Sequence, residues 1–258
     1  MIIFVTKNFT LTASAIVEEL GDVSRRIKGY RGRRIRSTPT DLVVNWGYYG
    51  NIACNCPVLN SHISTDKAFQ SNKFQEAGVP HPQRRDSRSG EWIVKPKSGH
   101  GGHGIRVYNA MQCADYTHPW LPKNDNEFQS EYIKKEAEFR VHVLGGEAVA
   151  WTRKKALEGV NAEEVVAWNH ANGFVQQTIK NRIQRKTTGN VAIAACNALG
   201  YDFGAVDIVM DRLGSLYVLE VNSAPALQVE DRLDKYVEYF REQHDNGIYI
   251  TCTQETDR

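Results

Sequence analysis

The stretch "FGAVDIVMDRLGSLYVLEVNSAPAL", residues 203–227, sets two carboxylates and an amide among strongly apolar neighbours. Side chains alternate faces along a strand, so Glu220 and Asn222 point the same way. Asp207 stands on the partner strand, across the turn "DRLG" at 211–214. A carboxylate from one strand and a carboxylate plus amide from the next converge on one side of such a hairpin. Their oxygens are hard ligands of the kind that suit Mg²⁺, which keeps several waters and shares the rest of its shell with substrate phosphates. The competing reading is a solvated polar edge. Val206, Ile208, Val209, Leu219 and Val221 weigh against it, because polar groups inside buried strands need partners. Asp207, Glu220 and Asn222 are therefore expected to hold metal.

A second stretch, "EWIVKPKSGHGGHGIRVYN" at 91–109, packs four glycines into six residues. Glycine within structure costs about 0.5–1 kcal/mol relative to alanine, so a run of it is kept where backbone turns tightly, approaches a ligand or moves. Residues 92–94 and 105–108 read as strands, which makes this a hairpin with Lys95 at its root. Backbone N–H groups and an ammonium both favour anionic oxygen, so the hairpin reads either as a lid over phosphates or as an ordinary long loop. It matches neither a Walker A loop nor the dinucleotide spacing before a helix. His100 and His103 have no third ligand nearby and read as phosphate or substrate donors, or as exposed side chains, rather than as a zinc pair.

The elements that position these residues follow from the hydrophobic pattern. Residues 1–60 alternate strand and helix (strands at 2–5, 41–46 and 57–60, an amphipathic segment at 12–20), which points to a small parallel sheet. "STD" at 64–66 starts a helix with Lys67 in its first turn, running to Glu76 and stopping at Gly78 before Pro80. Strands are expected at 128–133, 139–144, 148–153, 205–210 and 216–221, and helices at 188–199 and 229–241. Residues 156–175 carry no clear period, 111–127 read as a loop-rich connection, and 251–258 as a loose tail. The segment "SRRIKGYRGRRIR", residues 24–36, holds seven basic residues and no acid; so dense a run repels itself, which argues against tight core packing.

Of 258 residues, 41% are hydrophobic and 24% charged, the balance of a soluble globular chain, and a net charge of +2 implies no polyanion partner by itself. No apolar run approaches the roughly 20 residues that span a bilayer, and "MIIFV" reads as a strand rather than a leader. Five cysteines at irregular spacing, Cys54 and Cys56 among them, read as free thiols in a reducing cytoplasm.

Taken in order, the motifs "STDKAFQSNKFQEAGVPHPQ", "WIVKPKSGHGGHGI", "QSEYIKKEAEFRVHVLGG", "TRKKALEG" and "VDIVMDRLGSLYVLEVNSAPAL" resemble the ATP-grasp family, most closely its ribosomal-protein glutamate ligase and tubulin-ligase-like branch, over residues 60–240. The resemblance implies an α/β chain with the ATP-grasp fold: a small N-terminal domain at 1–60, a lobe with the glycine-rich lid at 61–130, and a metal-bearing lobe at 131–258. It implies that Lys67, Lys95, Gly101 and Gly102 contact ATP phosphates, that Glu131, Tyr132 and Ile133 form the adenine hinge through backbone, and that Glu138 sits at the ribose. Asp207, Glu220 and Asn222 would hold two Mg²⁺, for which Mn²⁺ could substitute, while Arg140 reaches the γ-phosphate or acyl phosphate. Arg153 and Asn169 match the substrate side.

The implied reaction joins a carboxylate to an amine with ATP, through an acyl phosphate, releasing ADP and phosphate. A kinase acting on a small acceptor and a non-catalytic nucleotide-binding module are the alternatives. Two departures bear on the substrate: Ala167 stands where the branch usually has an arginine two residues before the asparagine matching Asn169, and Ser-Ala-Pro follows Asn222 where Ala-Ser-Pro is common. The basic segment at 24–36 reads as a solvated loop or as a surface for an acidic protein tail or nucleic acid. The sequence leaves open whether the protein is a monomer or a homo-oligomer.

Overall fold

The computed structural model describes residues 1–7, 10–84, 91–99, 102–108, 125–227 and 230–247. Its contacts group Met1–His62 with Pro225–Arg258 as one compact unit and Ile63–Ala224 as a second.

The first unit is a four-stranded parallel sheet in the order β2-β1-β3-β4, formed by β1 (Ile2–Thr6), β2 (Ser24–Lys28), β3 (Leu42–Trp46) and β4 (Val58–Leu59). Every residue of β1 and β3 is buried, as expected of central parallel strands covered on both faces. Helix α1 (Leu11–Leu20) starts at Thr10, whose hydroxyl accepts from the Ala13 N–H at 3.2 Å. The basic segment is not all loop: 24–28 form the edge strand β2, and Tyr30 and Ile35 are buried with Ile3, Val5 and Val43. Apolar residues spaced through the run outweigh its self-repulsion, and the charges lie outside.

The last helix, α4 (Glu230–Asp245), belongs to this unit and not with residues 131–224. Its Phe240 ring meets Phe4 edge-on at 5.3 Å, and Tyr236 meets Trp46 at 5.8 Å. An amphipathic period marks which face of a helix is buried and says nothing about which sheet covers it. That is why the expected 131–258 lobe does not hold together.

The second unit contains α2 (Lys67–Glu76), a three-stranded sheet and a five-stranded sheet. The first sheet has the order β6-β5-β7, from β5 (Trp92–Pro96), β6 (Arg106–Tyr108) and β7 (Glu127–Glu131). The second has the order β10-β9-β8-β11-β12, from β8 (Ala137–Leu144), β9 (Glu147–Ala156), β10 (Phe174–Thr178), β11 (Phe203–Met210) and β12 (Leu216–Asn222). All pairings in both are antiparallel. Helix α3 (Arg182–Leu199) covers one face of the larger sheet, burying Phe139, Val141, Val206, Ile208 and Val221 with Ala192, Ala195 and Cys196. It starts six residues earlier than its apolar period suggests, capped by Asn181, because its first turns are polar. The opposite face of that sheet is the polar one. Among the described residues no helix is long and apolar enough to cross a membrane.

Candidate active site

The polar face is built by strand alternation. Asp207 pairs with Arg140 on one side and Glu220 on the other, and Ala205 pairs with Asn222. Core-facing and site-facing residues then alternate along β11 and β12, with an irregularity after Asp207, where Ile208 pairs with Val218 and Leu219 becomes the extra residue. The bulge lets Val218 and Val221, three apart, both enter the core while Glu220 faces the site. The three expected metal ligands therefore share one face.

Each carboxylate is paired with a cation. Arg140 grips Asp207 with two parallel bonds, Nε to Oδ1 at 2.7 Å and Nη2 to Oδ2 at 2.8 Å. Burial pushes the Asp207 carboxyl up, but the Arg140 guanidinium outweighs it and holds the group below the usual carboxylate range. Asp207 in turn raises Arg140, which stays charged. Lys67 lies 2.7 Å from Glu220 and donates to the Gly99 carbonyl at 2.9 Å, so the start of α2, the glycine hairpin and β12 meet at one ammonium. Asn222 accepts from the Ala224 N–H at 2.9 Å. Among the described residues no three His, Cys, Asp or Glu side chains converge. The donor set of two carboxylates and an amide, all hard oxygens on one face, fits Mg²⁺ provided that phosphate oxygens and water complete the shell.

Lys95 and Lys67 line a cavity of about 10 Å³, room for one water, with Ser71, Phe74, His81, Phe128, Ser130, Val218 and Leu219. Lys95 as a residue is partly exposed, but its ammonium is enclosed; burial lowers its pKa to about 8, with Glu220 opposing and Lys67 assisting. It stands 5.0 Å from the Phe128 ring centroid and has no hydrogen-bonded anion among the described residues. Two more buried polar atoms at this cavity have no hydrogen-bond partner among the described residues: Ser71 Oγ and His81 Nε2. His81 is 3% exposed, and its Nδ1 lies 2.8 Å from the Val79 carbonyl, which only accepts, so Nδ1 donates there and Nε2 is the ring nitrogen left without a hydrogen bond among the described residues. Buried orphans of this kind need an explanation, and a polar ligand supplies one.

The other expected residues fall differently. Glu138 shares the face of Arg140, but it is 4% exposed and both its oxygens are taken, Oε2 by Lys135 at 2.8 Å and Oε1 by Lys154. Lys135 also donates to the Val166 carbonyl at 2.8 Å, and burial lowers its pKa. Arg153 is directed to the opposite face: it pairs with core-facing Phe139 and reaches the Glu136 carbonyl at 3.3 Å. Its neighbour Lys154 takes the site-facing position, one step of strand alternation away. Gly102 and Asn169 do come together. A Cβ at Gly102 would lie 2.5 Å from that of Ala167 and 3.7 Å from the Asn169 amide nitrogen, and φ is +75°. The glycine turn thus rests on Ala167, where a longer side chain would collide with it. Gly101 and His100, within the expected lid, lie outside the described residues. At the hinge, the Glu131 and Tyr132 N–H groups are used by the Gln83 and Glu91 carbonyls at 2.9 Å, and Ile133 follows directly after them. Ser71, His81, Lys135 and Lys154 were missed; the charge of the "KK" pairs was visible, but nothing in sequence says which member faces inward.

The model of the ATP-grasp domain matches residues 64–226. A probable alpha-L-glutamate ligase of Haemophilus influenzae (strain PittEE) is 27% identical over 179 residues, 68% of this chain and 53% of that protein. A D-alanine--D-alanine ligase of Chromohalobacter salexigens is 22% identical over 183 residues, 66% of this chain and 58% of its own. The chain thus spans about half the length of the curated relatives it matches. Among solved structures, the ATP-grasp ligase PsnB, complexed with a phosphomimetic variant of its minimal precursor, Mg and ADP, superposes with a TM-score of 0.67 at 13% identity, covering 94% of this chain and 98% of the other. The D-alanine--D-alanine ligase from Bacillus anthracis gives a TM-score of 0.57 at 15% identity, over 96% of this chain and 99% of its own. With the domain match spanning more than half of its length, the chain belongs to the ATP-grasp family.

Proposed function

We propose that the protein is an ATP-dependent, ADP-forming carboxylate–amine ligase. The observation that carries the reading is the single face shared by Arg140, Asp207, Glu220 and Asn222, with Lys67 at its rim and Lys95 enclosed beside it. Relatives named as ligases, and PsnB solved with Mg, ADP and a precursor, support it. A substrate carboxylate oxygen attacks the γ-phosphorus, the bridging P–O bond breaks and ADP leaves. The amine nitrogen then attacks the acyl carbon, loses its proton, and phosphate departs with the former carboxylate oxygen. Lys67, Lys95 and the Gly101–Gly102 backbone neutralise and hold the phosphates. Arg140, fixed by Asp207, faces the transferring group. Asn169 and Lys154 border the acceptor side, and the 131–133 hinge receives the base. Asp207, Glu220 and Asn222 would hold Mg²⁺, as two ions that Mn²⁺ could replace; bound there, the metal adds positive charge against the phosphoryl group. No protein nucleophile is needed, because the phosphate supplies the leaving group.

The test uses an ¹⁸O-labelled carboxylate substrate found by screening ADP release against amino acids and peptides. Label is expected in the released phosphate. Phosphate free of label, with a phosphorylated product, would make the protein a kinase. ATP binding without any turnover would make it a nucleotide-binding module.

A pH signature accompanies nucleotide binding. Lys95, with its pKa lowered to about 8, is charged below that pH and increasingly neutral above it. A phosphate placed against it favours the ammonium and raises the pKa back toward the ordinary value of about 10.4. Nucleotide binding at pH 8.5–9 is therefore expected to take up protons at this site, and to take up few at pH 6.5. Calorimetry in two buffers of different ionisation enthalpy reads the uptake, and Lys95→Met should remove it.

A further inference from the structure

The cations at 24–36 take no part in the site described above; they lie in the first unit, on the edge strand β2 and the loop that follows it. Between residues 24 and 65 the chain has seven Lys or Arg and one acid, Asp41. That acid is already engaged by the Met1 ammonium at 2.9 Å and the Thr38 N–H at 2.6 Å. Arg25, Lys28, Arg31, Arg33, Arg34 and Arg36 are all exposed. Among the described residues, Arg25, Arg31, Arg33, Arg34 and Arg36 form no ion pair.

The array is held in place. Tyr30 and Ile35 anchor it in the core at 7% and 4% exposure, and the Ile35 N–H donates to the Ala53 carbonyl at 2.8 Å. Arg25 donates to the Arg36 carbonyl at 2.8 Å, and Arg34 donates to Asn55. A solvated loop has no reason to be tied at four points. It continues β2, which lies at the sheet edge with β1 as its single neighbour among the described strands. A basic edge strand repels other basic strands and resists pairing with neutral ones, which would desolvate its charges, but it attracts a strand carrying carboxylates.

The aromatic residues decide between partners. Single-stranded nucleic acid is gripped by stacking its bases on rings. Here Tyr48 and Tyr49 stack on each other at 6.2 Å, the Lys7 ammonium sits 4.1 Å from the Tyr49 centroid, and Tyr30 meets Tyr48 edge-on at 4.8 Å. Tyr30 is buried, Tyr48 lies between it and Tyr49, and Tyr49, 55% exposed, is capped by Lys7, so among the described residues the loop presents one partly covered ring and not a row of stacking platforms. An acidic peptide needs no platform: arginine forks take Asp and Glu carboxylates, and the strand edge offers main-chain hydrogen bonds.

We propose that β2 and the loop after it, residues 24–36, dock an extended acidic peptide segment of the substrate. This rests on the ligase reading, since it names a class of molecule that such a ligase would modify, but it is tested by binding alone. The probes are a fluorescent Glu-rich dodecapeptide and a dT oligonucleotide of equal charge, titrated at several salt concentrations. The peptide is expected to bind more tightly than the oligonucleotide, with affinity falling as salt screens the charges. The combined Arg31→Ala, Arg33→Ala and Arg34→Ala variant should bind it about tenfold or more weakly. Arg31→Ala with Arg33→Ala, which keeps the Arg34 bond to Asn55, should show an intermediate loss. ATP affinity, far-UV circular dichroism and Tm should not change in either variant. No peptide binding by the wild type, or equal binding by the triple variant, overturns the proposal, and tighter oligonucleotide binding transfers the surface to nucleic acid. Peptide binding without ligation of any acceptor would instead count against the ligase reading and leave the docking surface standing.

Discussion

Glu220→Gln is expected to lower ADP release by about 10²–10³-fold, the usual consequence of losing one preorganised electrostatic contact at a reacting group. Glu220 stands directly across from Asp207 and touches Lys67 at 2.7 Å, so it links the face proposed to hold metal to the lysine proposed to hold phosphate. Glutamine keeps the shape, removes the charge and turns one acceptor oxygen into an NH₂ donor. Its side chain is 27% exposed and that of Lys67 18%, so the lost ion pair should cost at most about 1 kcal/mol of stability. The variant should therefore melt within a few degrees of the wild type while turning over far more slowly. Steady-state ADP release beside a thermal melt separates the two effects, and a near-normal rate would remove Glu220 from the site.

Asp207→Ala should act on the fold as well as on the chemistry. It leaves the Arg140 guanidinium, only 17% exposed, without its carboxylate, and breaking a buried pair by removing one partner costs about 3–5 kcal/mol. For a chain of this size each kcal/mol moves Tm by about 2–4 °C, so a fall of roughly 6–20 °C is expected. Arg140→Met in the same chain should restore part of the loss, because the stranded charge is then gone. Thermal and guanidinium denaturation of the single and double variants completes the cycle. A Tm unchanged by Asp207→Ala would mean that the pair is hydrated and not structural.

Much of the candidate site was legible because its signals are local. Glu220 and Asn222 are two apart on one strand, Asp207 precedes a tight turn, and Lys67 directly follows the cap Asp66. Face assignment was less legible wherever a strand's register was unknown. Arg153 and Lys154 differ by one position, and only the pairing of Arg153 with Phe139 and of Thr152 with Arg140 decides which of them faces the site. Strands β2 and β10 were missed because arginine and glutamine hide their alternation, although Ile27 and Phe174 carry it. Ser71 and His81 gave no signal at all: a mid-helix serine and a histidine between prolines become notable only when both prove buried beside one cavity.

The return of α4 to the first sheet has a consequence for synthesis. Phe4 and Trp46 leave the ribosome early, yet Tyr236 and Phe240, which cover them, emerge nearly two hundred residues later. At about 5–20 residues per second that interval is roughly 10–40 s. Residues 63–224 form a compact unit of their own, made in full before α4 emerges, and can close first. Of the three described sheets, the one made first is thus the last to be covered, and for those seconds its apolar rings are open to a chaperone.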